Sequence, residues 1–104
     1  MEAGKKTLII IPAFNEAEHI GEVARRAREA VPFADTLVVD DGSGDRTARY
    51  ARQAGAITIS LLQNMGYGVA LQTGYKYAMK RGYRRIVQMD GDGQHDPASL
   101  PRAL

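Results

Sequence analysis

Two short runs of consecutive apolar residues most constrain the fold of this chain. Residues 7–11, TLIII, end at Pro12, and residues 36–39, TLVV, end at Asp40. An apolar run without alternation, rich in Ile and Val, is typical of a strand that is buried on both faces. Such strands occur in parallel sheets whose two faces are covered by helices. The two runs therefore predict a central pair of strands in a sheet of this kind.

Helical patterns alternate with these and further strands along the chain. Apolar residues recur at helical spacing from Ile20 to Val31, and Asn15 with Glu18 resembles a capping box at the start of this helix. Ser43 or Asp45 is the expected cap of the second helix. The remaining predicted elements are a helix to about 54, a strand at 56–61, a helix at 69–81, a strand at 85–89 and a helix from 98. This alternation predicts an α/β, Rossmann-like, mainly parallel sheet with helices on both faces.

Length and composition favour one small, soluble domain. The chain has 104 residues, no cysteine and a formal net charge of +2. The absence of cysteine excludes disulfides and thiolate chemistry and fits a reducing compartment. The charge is too small to indicate nucleic-acid binding. The longest apolar run is far shorter than a membrane span, and we expect a cytoplasmic protein without a signal peptide.

Two carboxylates follow the fourth predicted strand, one residue apart. Side chains two positions apart point the same way in an extended backbone, so Asp90 and Asp92 can converge on one hard cation. An ordinary turn built on Asp-Gly pairs is the alternative. Asp90, Asp92 and Gln94 also match the first ligand positions of a calcium loop of the EF-hand type. However, His95 and Pro101 stand where that loop requires glycine and glutamate.

A second acid pair, Asp40 and Asp41, follows the second strand. Such a pair often caps the next turn or helix, and this is the competing interpretation for Asp40. In a sheet of order 3-2-1-4, a crevice lies between the ends of strands one and four, beside this pair. We expect Asp41 to face that crevice, where a carboxylate can accept a hydrogen bond from a ring N–H of a nucleobase.

Two further loops carry residues suited to a polar ligand. Asn15 and Glu16 either begin a helix or reach a ligand in the crevice. Gly66 and Gly68 precede the third predicted helix and could let backbone amides approach a phosphate. The tyrosines near this helix, Tyr67 among them, are expected to be packing residues.

Four segments together carry a family resemblance. They are IIPAFNEAEHI, LVVDDGSGDRT, QNMGYGVALQTGYKYA and VQMDGDGQHDP, in this order and spacing. This set resembles the N-terminal half of a family 2 glycosyltransferase of GT-A fold, nearest the polyprenyl-phosphate sugar synthases of the dolichol-phosphate mannose synthase type. It implies one domain over residues 1–104, the nucleotide-sugar-binding part, truncated after the DXD loop.

The resemblance also implies roles for particular residues. Those that it places in the nucleotide pocket are Pro12, Ala13, Asn15, Glu16, Asp41, Asn64, Gly66 and Gly68. Asp90 and Asp92 stand at the DXD motif as catalytic and metal-binding residues, and Gln94 matches a further ligand of Mg²⁺ or Mn²⁺. Two positions depart from the family pattern. Gly91 stands where alanine is frequent, and Tyr67 stands where some branches carry a lysine.

The implied function is transfer of a sugar from a UDP or GDP sugar to an acceptor, with polyprenyl phosphate as the expected acceptor and a metal assisting departure of the diphosphate. Residues that bind the acceptor would follow the DXD strand, so the truncated chain could be inactive. The parent protein could act at the cytoplasmic face of a membrane. We also expect self-association through the exposed sheet edge. The alternatives are a non-catalytic nucleotide- or metal-binding module and a phosphoacceptor-like acidic domain, which would require a lysine after a later strand.

Overall fold

Four parallel strands form one sheet at the centre of the molecule. The computed structural model describes residues 7–91. The strands are β1 (Thr7–Ala13), β2 (Ala34–Asp40), β3 (Ile57–Ser60) and β4 (Arg85–Gln88), and the helices are α1 (Ile20–Ala30), α2 (Thr47–Gln53) and α3 (Tyr67–Arg81). The strand order is β3-β2-β1-β4, and every pairing is parallel. The predicted fold class and strand order are confirmed, while the helix predicted from residue 98 lies outside the described residues.

Strand β1 forms the centre of two separate cores. All seven of its residues are buried. Successive side chains of a strand point to opposite faces, so Ile9 and Ile11 pack with α1 on one face, whereas Leu8 and Ile10 pack with α3 on the other. Buried residues from α1, α2 and the sheet complete the first core, and Ala70 and Ala78 of α3 contribute to the second. Helices therefore cover both faces of the sheet, as predicted.

Helix α3 packs against β1 through an inward face of small residues. Ala70, Gly74 and Ala78 are its buried positions. A Cβ atom added at Gly74 would lie 2.7 Å from the Ile10 side chain, well inside van der Waals contact. Glycine at this position lets the helix approach the strand, and this approach sets the first turn of α3 beside the carboxyl end of β1.

The outer strands are shorter and more exposed than the central pair. β3 has two exposed and two half-buried residues. In β4, Arg85, Ile86 and Gln88 are exposed. The main-chain N–H of Met89 still donates to the Ile10 carbonyl at 3.0 Å, so β1 holds the chain as far as the residue before Asp90.

The predicted capping box is wrong, and its residues have other roles. Helix α1 begins at Ile20 after His19, and no side chain caps it. Asn15 instead adopts a left-handed backbone conformation, with φ of 52°, which asparagine tolerates better than most residues. Helix α3 begins two residues earlier than predicted, at Tyr67. Asn15 therefore lies in the loop between β1 and α1, beside the carboxyl ends of the strands.

Ser43 and Asp45 are also used differently from a simple cap. Asp45 accepts a hydrogen bond from the N–H of Thr47, the first residue of α2, at 3.0 Å. The Ser43 hydroxyl is not a cap, because it accepts the N–H of Asn15 at 2.8 Å. Asp40 follows the turn interpretation, since it accepts the Ser43 N–H at 3.0 Å and the Ser60 hydroxyl at 3.2 Å.

Candidate functional site

A cavity of about 530 Å³ opens at the carboxyl ends of β1, β2 and β4. Its walls come from the loops that follow the four strands and from the first turn of α3. The lining residues are Pro12, Ala13, Phe14, Glu16, Asp41, Asn64, Gly66, Tyr67, Ala70, Asp90 and Gly91. This is the crevice predicted from the strand order, between the loops after β1 and β4 and beside the loop after β2.

Most of the predicted nucleotide-binding residues meet in this cavity. Those that line it are Pro12, Ala13, Glu16, Asp41, Asn64 and Gly66, together with the predicted metal ligand Asp90. Asn15 and Gly68 are not among the lining residues. Asp92 and Gln94 lie outside the described residues. The roles of all these residues in binding stay predictions at this point.

Asp41 is a buried carboxylate that holds the loop before α3 in place. Its side chain accepts the N–H of Met65 at 2.7 Å, the N–H of Gly66 at 3.0 Å and the amide of Asn64 at 2.9 Å. Only 4% of the residue is exposed. A carboxylate offers about four acceptor positions, so these three donors leave room for one more. The predicted hydrogen bond to a nucleobase would have to use this remaining position.

Gly42 allows the two loops beside Asp41 to touch through their backbones. Its φ is +70°, in the left-handed region. A Cβ atom added there would lie 2.2 Å from the carbonyl carbon of Gln63 and 2.4 Å from the nitrogen of Asn64. No side chain fits in that space, and the left-handed conformation independently favours glycine. The wall that contains Asp41 therefore depends on glycine at position 42.

The loops after β1 and β2 are joined by reciprocal hydrogen bonds. The N–H of Asn15 donates to Ser43 Oγ, and the N–H of Gly44 donates to Asn15 Oδ1, each at 2.8 Å. The N–H of Glu16 donates to Thr47 Oγ1 at 2.9 Å. Asn15 therefore supports the cavity from behind and fixes the backbone that presents Glu16.

Thr47 and Asp45 extend this bracing. Thr47 is fully buried, and its hydroxyl donates to the Asp45 carboxylate. Asp45 also accepts the N–H of Ala17 at 3.2 Å. The Thr47 hydroxyl, followed by these backbone N–H groups, holds the pKa of Asp45 below its ordinary value, against an opposing effect of desolvation. The hydrogen bonds therefore favour the ionised form of Asp45.

A second wall is formed by the start of α3, which meets the first where Gly66 donates to Asp41. The first N–H groups of a helix have no partner within the helix, and the aligned peptide dipoles make this end positive. Gly66 and Tyr67 line the cavity, and the first turn of α3 carries no acidic residue. This end of the cavity therefore suits an anionic group such as a phosphate.

Four lining residues are absent from the site residues that were predicted individually. Ala70 and Gly91 carry no chemical signal that would separate them from ordinary packing positions. Tyr67 was expected to pack, but 54% of it is exposed, and the residue lines the cavity. Phe14, 45% exposed, follows the buried β1 residues directly, and an exposed aromatic at the end of a buried strand was the signal that could have found it.

Asp90 is the described member of the predicted metal-binding set. It lines the cavity after β4, and a carboxylate oxygen is a ligand type that Mg²⁺ and Mn²⁺ prefer. Within residues 7–91, no group of three or more His, Cys, Asp or Glu side chains is arranged to hold a metal ion. Asp90 thus fits one ligand position at the edge of the cavity. The same residues contain no helix that is long and apolar enough to cross a membrane.

The sequence matches the family model for Glycosyl transferase family 2 over residues 8–104. It is 41% identical to an undecaprenyl-phosphate mannosyltransferase of Micrococcus luteus, with 95% of this chain and 43% of the relative covered. It is 37% identical to a polyprenol monophosphomannose synthase of Mycolicibacterium smegmatis, with 96% and 40% covered. The chain therefore spans about two fifths of the length of these curated relatives.

A solved structure shows the same fold. The chain superposes with a TM-score of 0.71 on glucosyl-3-phosphoglycerate synthase from Mycobacterium tuberculosis, crystallised with Mn²⁺, UDP-glucose and phosphoglyceric acid. The two sequences are 26% identical, and the match covers 94% of this chain and 37% of the synthase. The α/β sheet of order 3-2-1-4 is thus shared with a GT-A glycosyltransferase.

Proposed function

The chain belongs to glycosyl transferase family 2, and we propose that its cavity binds the nucleoside diphosphate of a sugar nucleotide. The observation that carries this proposal is the division of the cavity into two unlike walls. One wall presents backbone and the Asp41 carboxylate, which suit a nucleoside. The other presents the positive end of α3 and the Asp90 carboxylate, which suit a diphosphate with its metal ion.

The nucleoside would lie against the ends of β1 and β2. Pro12 and Ala13 are the last residues of the buried central strand, so their backbone is fixed by the sheet. Asp41 has one acceptor position left after its three hydrogen bonds, and it is the group that would receive a ring N–H of the base. Glu16, held through its backbone by Thr47, would face the polar parts of the nucleoside.

The diphosphate would lie between α3 and the end of β4. Asp90, with Asp92 and Gln94, would hold Mg²⁺ or Mn²⁺ beside it. When bound, such an ion stabilises the negative charge that develops on the departing diphosphate. The amides of the first turn of α3 would contribute to the same charge stabilisation.

For the full-length protein, we propose transfer of the sugar to a polyprenyl phosphate. This extends to the chain what the names of its mannosyltransferase relatives state. A phosphate oxygen of the acceptor would bond to the anomeric carbon as the bond from that carbon to the diphosphate oxygen breaks. Because a phosphate acceptor is already anionic, this step needs no strong general base. A lipid acceptor would place the reaction at a membrane surface, which we propose to be the cytoplasmic face.

Self-association through β4 is a further part of this proposal. β4 pairs with β1 along one edge, and among residues 7–91 no strand pairs with its other edge. Ile86 on this strand is 38% exposed. An uncovered edge can pair with a second copy of the chain. Light scattering over a range of concentrations should show dimers or larger species, and a strictly monomeric chain would contradict this part of the proposal.

Calorimetric titration tests nucleotide binding. UDP and GDP are titrated separately into the protein with and without Mn²⁺, and the same titrations are made with Asp90→Asn and Asp92→Asn. We expect saturable binding of one nucleotide that strengthens with Mn²⁺, and loss of that metal dependence in both variants. Absence of binding of either nucleotide would contradict the proposal.

A further inference from the structure

We propose that the Tyr67 hydroxyl donates a hydrogen bond to a phosphoryl oxygen of the bound nucleotide. We further propose that Gln88 and Tyr75 are the positioning residues that aim it. The inference rests on the proposed function, because it assigns a contact within the same cavity. It starts from a chain of three polar side chains that connects α3 with β4.

Two hydrogen bonds in series connect these side chains. The Tyr75 hydroxyl donates to Gln88 Oε1 at 2.7 Å. Gln88 Nε2 in turn donates to the Tyr67 hydroxyl oxygen at 3.2 Å. Tyr67 and Tyr75 lie two turns apart along α3, and Gln88 reaches both from the last position of β4. The three groups hold the Tyr67 hydroxyl at a fixed place relative to the sheet.

The direction of these bonds determines what Tyr67 can offer to a ligand. A tyrosine hydroxyl has one hydrogen to donate and can also accept. Because Tyr75 donates to Oε1 of Gln88, the NH₂ group of the Gln88 side chain faces Tyr67. The Tyr67 hydroxyl oxygen therefore accepts a hydrogen bond from Gln88, and its O–H remains to donate to a third group.

The location of Tyr67 indicates that this third group is anionic. Tyr67 is the first residue of α3 and lines the cavity together with Gly66. Asp90, the described metal-ligand candidate, lies two residues beyond Gln88 and lines the same cavity. Asp41, the candidate contact for the base, accepts the N–H of Gly66, but the Tyr67 hydroxyl is directed to Gln88 of β4. Tyr67 therefore belongs to the diphosphate side of the cavity.

Four variants separate this role from a general effect on folding. Tyr67→Phe removes the donor but keeps the ring. Gln88→Met and Tyr75→Phe interrupt the series of hydrogen bonds but keep the Tyr67 hydroxyl. Tyr50→Phe is the matched control, since Tyr50 packs against the core on the other face of the sheet. For each variant, affinity is measured both for the nucleoside diphosphate that the wild-type protein binds and for the corresponding nucleoside.

We expect Tyr67→Phe to weaken diphosphate binding about tenfold, because a hydrogen bond to a charged group typically contributes that much or more. Nucleoside binding should change less than about twofold, because the lost contact is to phosphate. Gln88→Met and Tyr75→Phe should lower the ratio of diphosphate affinity to nucleoside affinity by about two- to fivefold. Tyr50→Phe should leave this ratio unchanged.

The outcomes distinguish this inference from the proposed function. If the wild-type protein binds neither UDP nor GDP, the proposed function is wrong and the Tyr67 contact is wrong with it. If the wild-type protein binds but Tyr67→Phe leaves the ratio of diphosphate to nucleoside affinity unchanged, only the Tyr67 contact is overturned. Equal weakening of both ligands would likewise contradict a phosphate contact.

Discussion

The two walls of the cavity are built in different ways. The first wall, residues 12–17 and 41–47, is held by the buried Asp41 and Thr47 side chains, to which exposed reciprocal hydrogen bonds of Asn15 are added. The second wall, residues 66–70 and 88–91, contains an exposed hydrogen-bond chain that joins α3 to a short outer strand. Buried hydrogen bonds are costly to break, whereas exposed ones exchange readily with water. The first wall is therefore preformed, whereas the exposed bonds of the second wall orient Tyr67 but add little to the stability of the fold.

The largest difference between the walls should appear at Gly42, in the first wall. Gly42→Ala should lower the free energy of unfolding by about 3 kcal/mol, because a left-handed alanine is strained and its Cβ meets backbone atoms. Gly44→Ala is the control, since a Cβ there meets nothing within 4 Å. Urea denaturation measures both. Equal effects of the two substitutions would show that the contact between the loops is unimportant.

A smaller effect is expected at Thr47, which braces the first wall from within the core. Thr47→Val keeps the shape but removes the hydroxyl, and it leaves the N–H of Glu16 without this acceptor. The expected loss is about 1–3 kcal/mol in the free energy of unfolding. Thr58→Val on β3 is the matched control, because that hydroxyl is only part-buried and donates to the Ala56 carbonyl at 3.2 Å. A loss at position 47 no greater than at position 58 would argue against the bracing role.

The same bracing should appear in the acid dependence of stability. The pKa of Asp45 is lower in the folded chain than its ordinary value, so the ionised carboxylate stabilises the folded state. Its contribution is present above about pH 4, near its unfolded pKa, and is lost as the pH falls through the still lower folded pKa. Asp45→Asn should therefore flatten the pH dependence of unfolding below about pH 4. An unchanged profile in urea titrations from pH 2 to 6 would contradict this assignment.

The smallest effects on stability are expected in the second wall. Gln88 is exposed and Tyr75 is 37% exposed, so Gln88→Met and Tyr75→Phe should each change the free energy of unfolding by less than about 0.5 kcal/mol. Thermal denaturation of both variants beside Thr47→Val tests the contrast directly. Losses as large as that of Thr47→Val would mean that the second wall is as rigidly braced as the first.

The sequence was informative where local pattern and topology agree. The unbroken apolar runs at 7–11 and 36–39 identified the two buried strands, and the acid pairs after strands identified Asp41 and Asp90 as residues at one sheet edge. Parallel strands bring their carboxyl ends together regardless of distance along the chain. This topological rule is why the location of the cavity could be predicted without coordinates.

The parts that could not be predicted depend on contacts between distant loops. Asn15 with Glu18 satisfies the local rule for a capping box, yet Asn15 bonds to Ser43 and Gly44, 28 and 29 residues away. The three donors to Asp41 come from residues 23 to 25 positions later in the chain. Tyr67 lies before the predicted third helix, and no residue near it in the sequence indicates its contact with Gln88. Such partners carry no local periodicity that a sequence pattern could reveal.

The most direct test of the central claim is a nuclear magnetic resonance titration of the ¹⁵N-labelled protein with UDP or GDP in the presence of Mg²⁺. We expect saturable shifts of the amides of Ala13, Gly66 and Gly91, which line the two walls, and no shift of Gly55, which lies outside the cavity. Saturable shifts at another surface, or none with either nucleotide, would contradict the assignment of this cavity to a nucleoside diphosphate.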